Sequence, residues 1–202
     1  MASLDTLAAE LRALPPSCGP VRLIAVDGHA GSGKTTFADR LAAALGGAPV
    51  LHLDDVATHE ELFGWTRRLL EGVIGPLSRG EAARYAPYDW TLRRFGPERT
   101  LEPAPVIILD GVGAGRGELR PFLASLLWME LAENQAWRRG RGRDGGTLAG
   151  FWDGWEAAER RHFHQDPSRP FADTLVRQCE EGYEWSSGAA AAAGSGPHPH
   201  RG

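Results

Sequence analysis

The chain has 202 residues, 42% of them hydrophobic and 24% charged, which is enough apolar material for one sizeable core and one domain. Its formal net charge of −4 argues against a general nucleic-acid binder, a class that is usually basic. No apolar run approaches the ~20 residues of a membrane span, and the acidic N-terminus lacks the basic start and apolar run of a signal peptide, so a cytoplasmic protein without nucleic-acid or membrane partners is expected.

Residues 1–20 read as a short amphipathic helix and linker. VRLIAV, Val21–Val26, is a nearly continuous apolar run of the kind a buried parallel strand shows. Lys34 to Leu45 follows at helical spacing, with Phe37, Leu41, Ala44 and Leu45 on one side. Pro49–Asp55 predicts a second strand. Glu60 to Ile74 predicts a helix that Gly75-Pro76 should end. Gly80 to Pro103 is polar with embedded aromatics and reads as a long loop or a small β excursion. Pro105–Gly111 and Leu126–Leu131 predict two further strands, and Ala172–Val176 a fifth. Glu133–Arg143 reads as an arginine-loaded helix broken by Gly140, Gly142, Gly145 and Gly146, and Thr147–His164 as the next helix. Trp152 and Trp155 in that helix read as core or lid packing. Strand–helix alternation of this kind implies a doubly wound α/β domain over residues 21–185, with a parallel five-stranded sheet and helices on both faces. Residues 186–202 are low in complexity and read as disordered, and His198 and His200 within them carry no assigned role. Cys18 and Cys179 read as two reduced thiols.

Between the first strand and its helix stands GHAGSGKT, Gly28–Thr35, which matches G-x-x-x-x-G-K-[ST] in the context that should accompany it. Glycines at Gly28, Gly31 and Gly33 let the backbone wrap phosphates, and the N–H groups along Gly28, His29, Ala30, Gly31, Ser32 and Gly33 would point inward. The helix start, with Thr36 in its first turn, adds partial positive charge. Lys34 is the only lysine; every other of the 22 basic residues is arginine. A compact charge on a flexible stem reaches β- and γ-phosphates as a planar guanidinium does not. Thr35 offers a hydroxyl to Mg²⁺. ATP and Mg²⁺ are the implied cofactors.

Further features separate the classes that share such a loop. A GTPase guanine reader of the Asn-Lys-x-Asp type needs a second lysine, which the chain lacks. A motor-type ATPase often ends its acidic strand with adjacent acids, whereas Asp110 is followed by Gly111. Small-molecule phosphotransfer fits better. LHLDDV places Asp54 and Asp55 at the carboxyl end of the second strand, where ligands sit in open α/β sheets, and one of them can take a proton from an acceptor hydroxyl or hold Mg²⁺. Strand alternation sends the two side chains to opposite sides. Arg138, Arg139, Arg141 and Arg143 lie among glycines that would permit a lid to close over the transferring phosphate, with Arg138, Arg139 and Arg143 preferred. YAPYDW, Tyr85–Trp90, offers aromatic faces to a base or sugar, and Asp89 a hydroxyl partner.

Together, GHAGSGKT, LHLDD, YDW, ILDGVGA, the lid ending Arg143-Asp144-Gly145, and RPFADTLV make Val21 to Arg177 resemble the uridine kinase-like group of P-loop kinases, related to phosphoribulokinase and bacterial pantothenate kinase. The resemblance implies that Asp54 is the catalytic base and metal neighbour, with Asp55 as the fallback. It also implies that Tyr88 contacts a nucleoside, that Arg138 or Arg139 and Arg143 contact phosphates and substrate, and that Asp110 is the acid on the third strand, facing substrate. Uridine kinases carry an aromatic residue soon after the catalytic acid and an Asp-His-Pro element for the ribose. Here the region reads DDVATHEELFGW, leaving His59, Glu60 or Glu61 as substitutes. The expected partner is a small hydroxyl acceptor, uridine or cytidine first. A kinase of pantothenate, nicotinamide riboside or a sugar phosphate, and a non-catalytic nucleotide-binding module, are the rival readings.

Overall fold

A computed structural model describes residues 3–145 and 148–190. Helix α1 (Leu4–Ala13) starts at Ser3, whose hydroxyl accepts the Thr6 N–H. Strand β1 (Arg22–Asp27) runs into the glycine loop and helix α2 (Lys34–Ala44). Then come β2 (Val50–His52), a 3₁₀ turn at Leu53–Asp55, and α3 (Thr66–Leu69), which passes through a π-turn at Leu70–Ile74 into α4 (Gly75–Ser78). Four short strands follow: β3 (Ala83–Tyr85), β4 (Tyr88–Asp89), β5 (Arg94–Phe95) and β6 (Arg99–Leu101). The chain finishes with β7 (Val106–Asp110), β8 (Leu123–Met129), α5 (Glu133–Asp144), α6 (Ala149–Gln165), β9 (Thr174–Cys179) and β10 (Gly182–Ser187).

The main sheet has six strands in the order β10-β9-β8-β1-β7-β2. Five are parallel, and β10 pairs antiparallel with β9 at the edge. Side-chain alternation divides β1 between two cores. Ile24 and Val26 pack with Leu7 and Leu11 of α1 and with Phe37 and Leu41 of α2. Leu23 and Ala25 pack with Leu69, Val73 and Leu77 of the α3–α4 rod. Parallel pairing brings the carboxyl ends of β1, β2, β7, β8 and β9 to one rim, and the candidate site gathers there, with α5, α6, the β4–β5 ribbon and the loop at His59 around it.

The structure corrects five expectations. The sheet has six strands, because Gly182 (φ +133°) turns the chain into β10, where Tyr183 packs against Phe37. Ser186 and Ser187 therefore belong to the sheet and not to a disordered tail, while residues 191–202, with His198 and His200, lie outside the described residues. The helix expected from Glu60 begins only at Thr66, since Thr58 and Glu61 form a turn, Thr58 Oγ1 accepting the Glu61 N–H at 3.0 Å. Gly75-Pro76 does not end the rod: the wide π-turn places Pro76 in the first turn of α4, where no N–H is needed. Nor do Gly140 and Gly142 break α5. A Cβ at Gly140 would lie 2.2 Å from Trp152 Cη2, so this glycine lets α6 approach closely. Gly145 (φ +70°) ends α5, and Gly146 lies outside the described residues. The long excursion forms two antiparallel ribbons, β3–β6 and β4–β5. Cys18 and Cys179 are free thiols. No described helix is long and apolar enough to cross a membrane.

His162 on helix α6 makes stability depend on pH. His162 stacks on Phe63 with centroids 4.8 Å apart and planes 11° off parallel. Burial, reinforced by Arg116 and Arg120 and opposed by Asp166 and Glu159, pushes its pKa down to about 4. An unfolded histidine titrates near ~6.5, so below that pH the unfolded chain takes up a proton that the folded chain refuses. His162 therefore costs stability progressively as pH falls from about 6.5 toward 4, by up to about 3 kcal/mol. His52, which Asp110 shifts upward, offsets part of this loss. Urea midpoints at pH 7 and 4.5 should show the decline, and His162→Gln should flatten it; an unchanged slope in the variant places the proton uptake elsewhere.

Candidate active site

The glycine loop joins β1 to α2 by local geometry. Gly31 (φ +85°) and Gly33 (φ +95°) hold left-handed conformations that L side chains rarely adopt, and a Cβ on Gly31 would meet Ala136 O at 2.1 Å. The side chain of Lys34 lies over the loop, its Nζ donating to His29 O at 2.9 Å. This leaves a compact ammonium at the start of α2, beside backbone N–H groups with no partner in the helix. The His29 ring turns away from the cleft, packed edge-on against Trp128, Trp137 and Phe163.

Thr35 Oγ1 donates to Asp110 Oδ2 at 2.8 Å, and His52 Nδ1 meets the same oxygen at 2.9 Å. Asp110 is buried, yet its Oδ1 has no hydrogen-bond partner. A buried carboxylate oxygen left free beside a threonine hydroxyl suits an ordered water of a hydrated cation. Among the described residues no three His, Cys, Asp or Glu side chains cluster into a metal cage. Mg²⁺ held by one hydroxyl, phosphates and water needs no such cage. Asp110, expected on the acceptor side, is thus joined to the start of α2 through Thr35.

These groups floor a cleft of about 750 Å³. Thr36, Gly31, Gly33 and Ala30 edge the floor, and Asp54 opens onto it from the 3₁₀ turn after β2. Asp54 is solvent-exposed at the open cleft, yet the protein crowded around its carboxylate raises its pKa; Lys34 pulls it back down and Asp110 pushes it further up. A carboxylate so balanced can receive a proton. Trp90 Nε1 donates to Asp54 O at 3.1 Å, so the β4–β5 ribbon fixes the turn that presents the acid. The far wall is aromatic. His59 lies 4.8 Å from Trp90 and 6.2 Å from Phe151, with Trp152 and Trp155 behind. Above it, Arg143 binds Asp144 at 2.6 Å and Trp152 Nε1 donates to the same carboxylate at 3.2 Å.

A second cavity, of about 620 Å³, opens on the other side of the loop, between Ser32, the start of α5 and the end of β9. Arg139 lines both cavities and donates to Gln178 Oε1 at 3.3 Å.

Several expected ligands stand elsewhere. Asp55 faces away from the cleft toward Arg99, 3.8 Å distant, because the 3₁₀ turn and not strand alternation separates it from Asp54. Tyr88 is buried and reaches the cleft only through His59, its hydroxyl 3.1 Å from Nδ1. Asp89 Oδ1 accepts the N–H groups of Thr91 and Leu92, which builds the ribbon turn and occupies that oxygen. Arg138 is exposed and lines neither cavity. Of the three substitutes after Asp54, His59 lines the cleft, while Glu60 and Glu61 pair with Arg93 and Arg68 at the surface. The sequence reading missed His52 and Glu159. His52 ends the strand that delivers Asp54, a positional signal that was available. Glu159 carried none.

No protein-family model matches the chain, and no curated protein matches it. Solved structures do. A structure described as a possible uridine kinase from Bacillus stearothermophilus aligns with TM-score 0.55 at 21% identity, over 78% of this chain and 94% of that one. A candidate fructose transport system kinase from Silicibacter sp. TM1040 aligns with TM-score 0.54 at 20% identity, over 83% of this chain and 91% of that one. The chain shares the α/β fold of these two structures.

Proposed function

We propose that the protein is an ATP-dependent phosphotransferase that moves the γ-phosphate of ATP to a hydroxyl of a small, ring-bearing molecule, with a nucleoside such as uridine or cytidine as the leading acceptor. One observation carries the reading: Lys34, the Thr35–Asp110 pair and Asp54 floor a single cleft whose opposite wall is made of aromatic rings. The loop N–H groups and Lys34 would hold the β- and γ-phosphates. Thr35, with Asp110 behind it, would hold Mg²⁺, which when bound neutralises phosphate charge. Asp54 would accept the acceptor's hydroxyl proton as that oxygen bonds to the γ-phosphorus and the bond to the β-phosphate oxygen breaks. Arg139 and Arg143 would stabilise charge spreading over the phosphoryl oxygens. The cavity beside Ser32 and Gln178 would take the base of ATP.

The acceptor side favours a flat ring over a sugar phosphate. His59, Trp90 and Phe151 supply faces for stacking. A screen with purified protein, ATP and Mg²⁺ tests this. Uridine, cytidine or nicotinamide riboside should release ADP above background hydrolysis, ahead of pantothenate or fructose phosphates. If no acceptor does so, a nucleotide-binding module replaces the kinase reading.

A further inference from the structure

We propose that Glu159 of α6 is a positioning residue for the phosphate loop, an acceptor-only pin that holds His29 and Ala30 in the shape the loop needs to receive phosphates. The inference rests on reading Gly28–Thr35 as the ATP site. Glu159 is fully buried and 129 residues from Ala30 in sequence. Its Oε1 lies 2.7 Å from His29 Nδ1 and accepts from Trp137 Nε1 at 3.1 Å; its Oε2 accepts from Trp155 Nε1 at 2.7 Å. The Ala30 N–H is shared between the two oxygens at 3.3 and 3.2 Å.

The partners define the chemistry. The two indoles and the backbone amide can only donate, and His29 faces the carboxylate as a donor when its proton is on Nδ1. An ionised carboxylate is the one protein side chain that accepts on both oxygens at once. A protonated acid or an amide would set a donor against at least one of these donors inside the protein. Burial pushes the Glu159 pKa up, but the His29 bond and the charges of Lys34 and His29 more than compensate, leaving it below the ordinary glutamate value. The same carboxylate ties the loop to both helices above it, through Trp137 of α5 and Trp155 of α6. The loop must be held there to a fraction of an ångström, because α5 passes close enough to exclude a Cβ at Gly31. Glu159 itself does not line the cleft, so it acts through the loop.

Binding of MgATP to the full chain by calorimetry, at a temperature well below every melting midpoint, tests the pin. Asp166→Asn is the control. Asp166 follows the same helix, accepts from Gly117 N and Arg120 Nη2 at 2.7 Å each, and touches no part of the loop. Both variants should melt earlier, but only Glu159→Gln should weaken MgATP, by about tenfold or more, with altered tryptophan emission as the indoles lose their acceptor. Should Glu159→Gln not fold, His29→Phe keeps a ring among the same aromatics, removes the shortest bond to the loop and should weaken MgATP in the same direction. Wild-type affinity in the folded variants, or equal weakening in Asp166→Asn, overturns the pin and leaves the ATP site standing. If the wild-type protein fails to bind MgATP, the reading of the phosphate loop falls and the pin with it.

Discussion

Lys34→Ala is expected to lower kcat/KM for ATP by about 10²–10³ while leaving the fold intact, in line with the removal of one preorganised charge from a transferring phosphate. Lys34 is the only lysine, and its ammonium sits against His29 O at the floor of the cleft. Without it, a triphosphate entering the loop would meet Asp54 and Asp110 with only Arg139 and Arg143 to answer them. Two unit charges ~4 Å apart in a site of intermediate polarity interact by about 4 kcal/mol, enough to account for a loss of this size. Lys34→Arg should not restore activity, because a planar guanidinium cannot occupy the space a point charge fills over the His29 carbonyl. A second signature follows from the same geometry. Lys34 holds the Asp54 pKa down, so its removal should move the acidic limb of the pH–rate profile to higher pH. Calorimetry for ATP and a pH series of initial rates check both; unchanged ATP kinetics would refute the phosphate-loop assignment.

Asp54→Asn should cut turnover at least ~100-fold with ATP affinity retained, the pattern of a lost general base. The amide keeps the size of the side chain and loses the capacity to take a proton. The neighbouring acid gives an internal control. Asp55 points toward Arg99 and away from the cleft, so Asp55→Asn should change turnover little. Near-wild-type turnover in Asp54→Asn, or a large loss in Asp55→Asn, reassigns the base.

The parts of the site legible in the sequence are those whose geometry is set by neighbours along the chain. GHAGSGKT between an apolar run and a helical pattern fixes its loop through glycine φ angles and the first turn of α2. The strand end at Asp110 followed from where an apolar run stops, while the second strand stops at His52 and leaves Asp54 to a 3₁₀ turn. The parts misread depend on contacts between distant segments. YDW looked like a substrate element, yet Tyr88 and Asp89 are spent on the ribbon's own packing and turn, and it is Trp90 that supports the Asp54 backbone. The lid glycines looked like hinges, but Gly140 is small because Trp152 lies against it. Strand β10 did announce itself, as the alternation of Tyr183 and Trp185 after Gly182, but the alanine-rich residues beyond it drew the boundary too early.

The sequence by itself determined the parallel α/β order and the glycine loop between the first strand and its helix, because strand periodicity, glycine conformation and helix starts are properties of a few adjacent residues. Only the tertiary structure decided which acid faces the cleft, which aromatics wall it, and that Asp110 serves Thr35. It alone brought Glu159 against the loop. These depend on hydrogen bonds and close contacts spanning tens to more than a hundred residues, formed only when the sheet gathers its carboxyl ends at one rim and α5 and α6 fold over them.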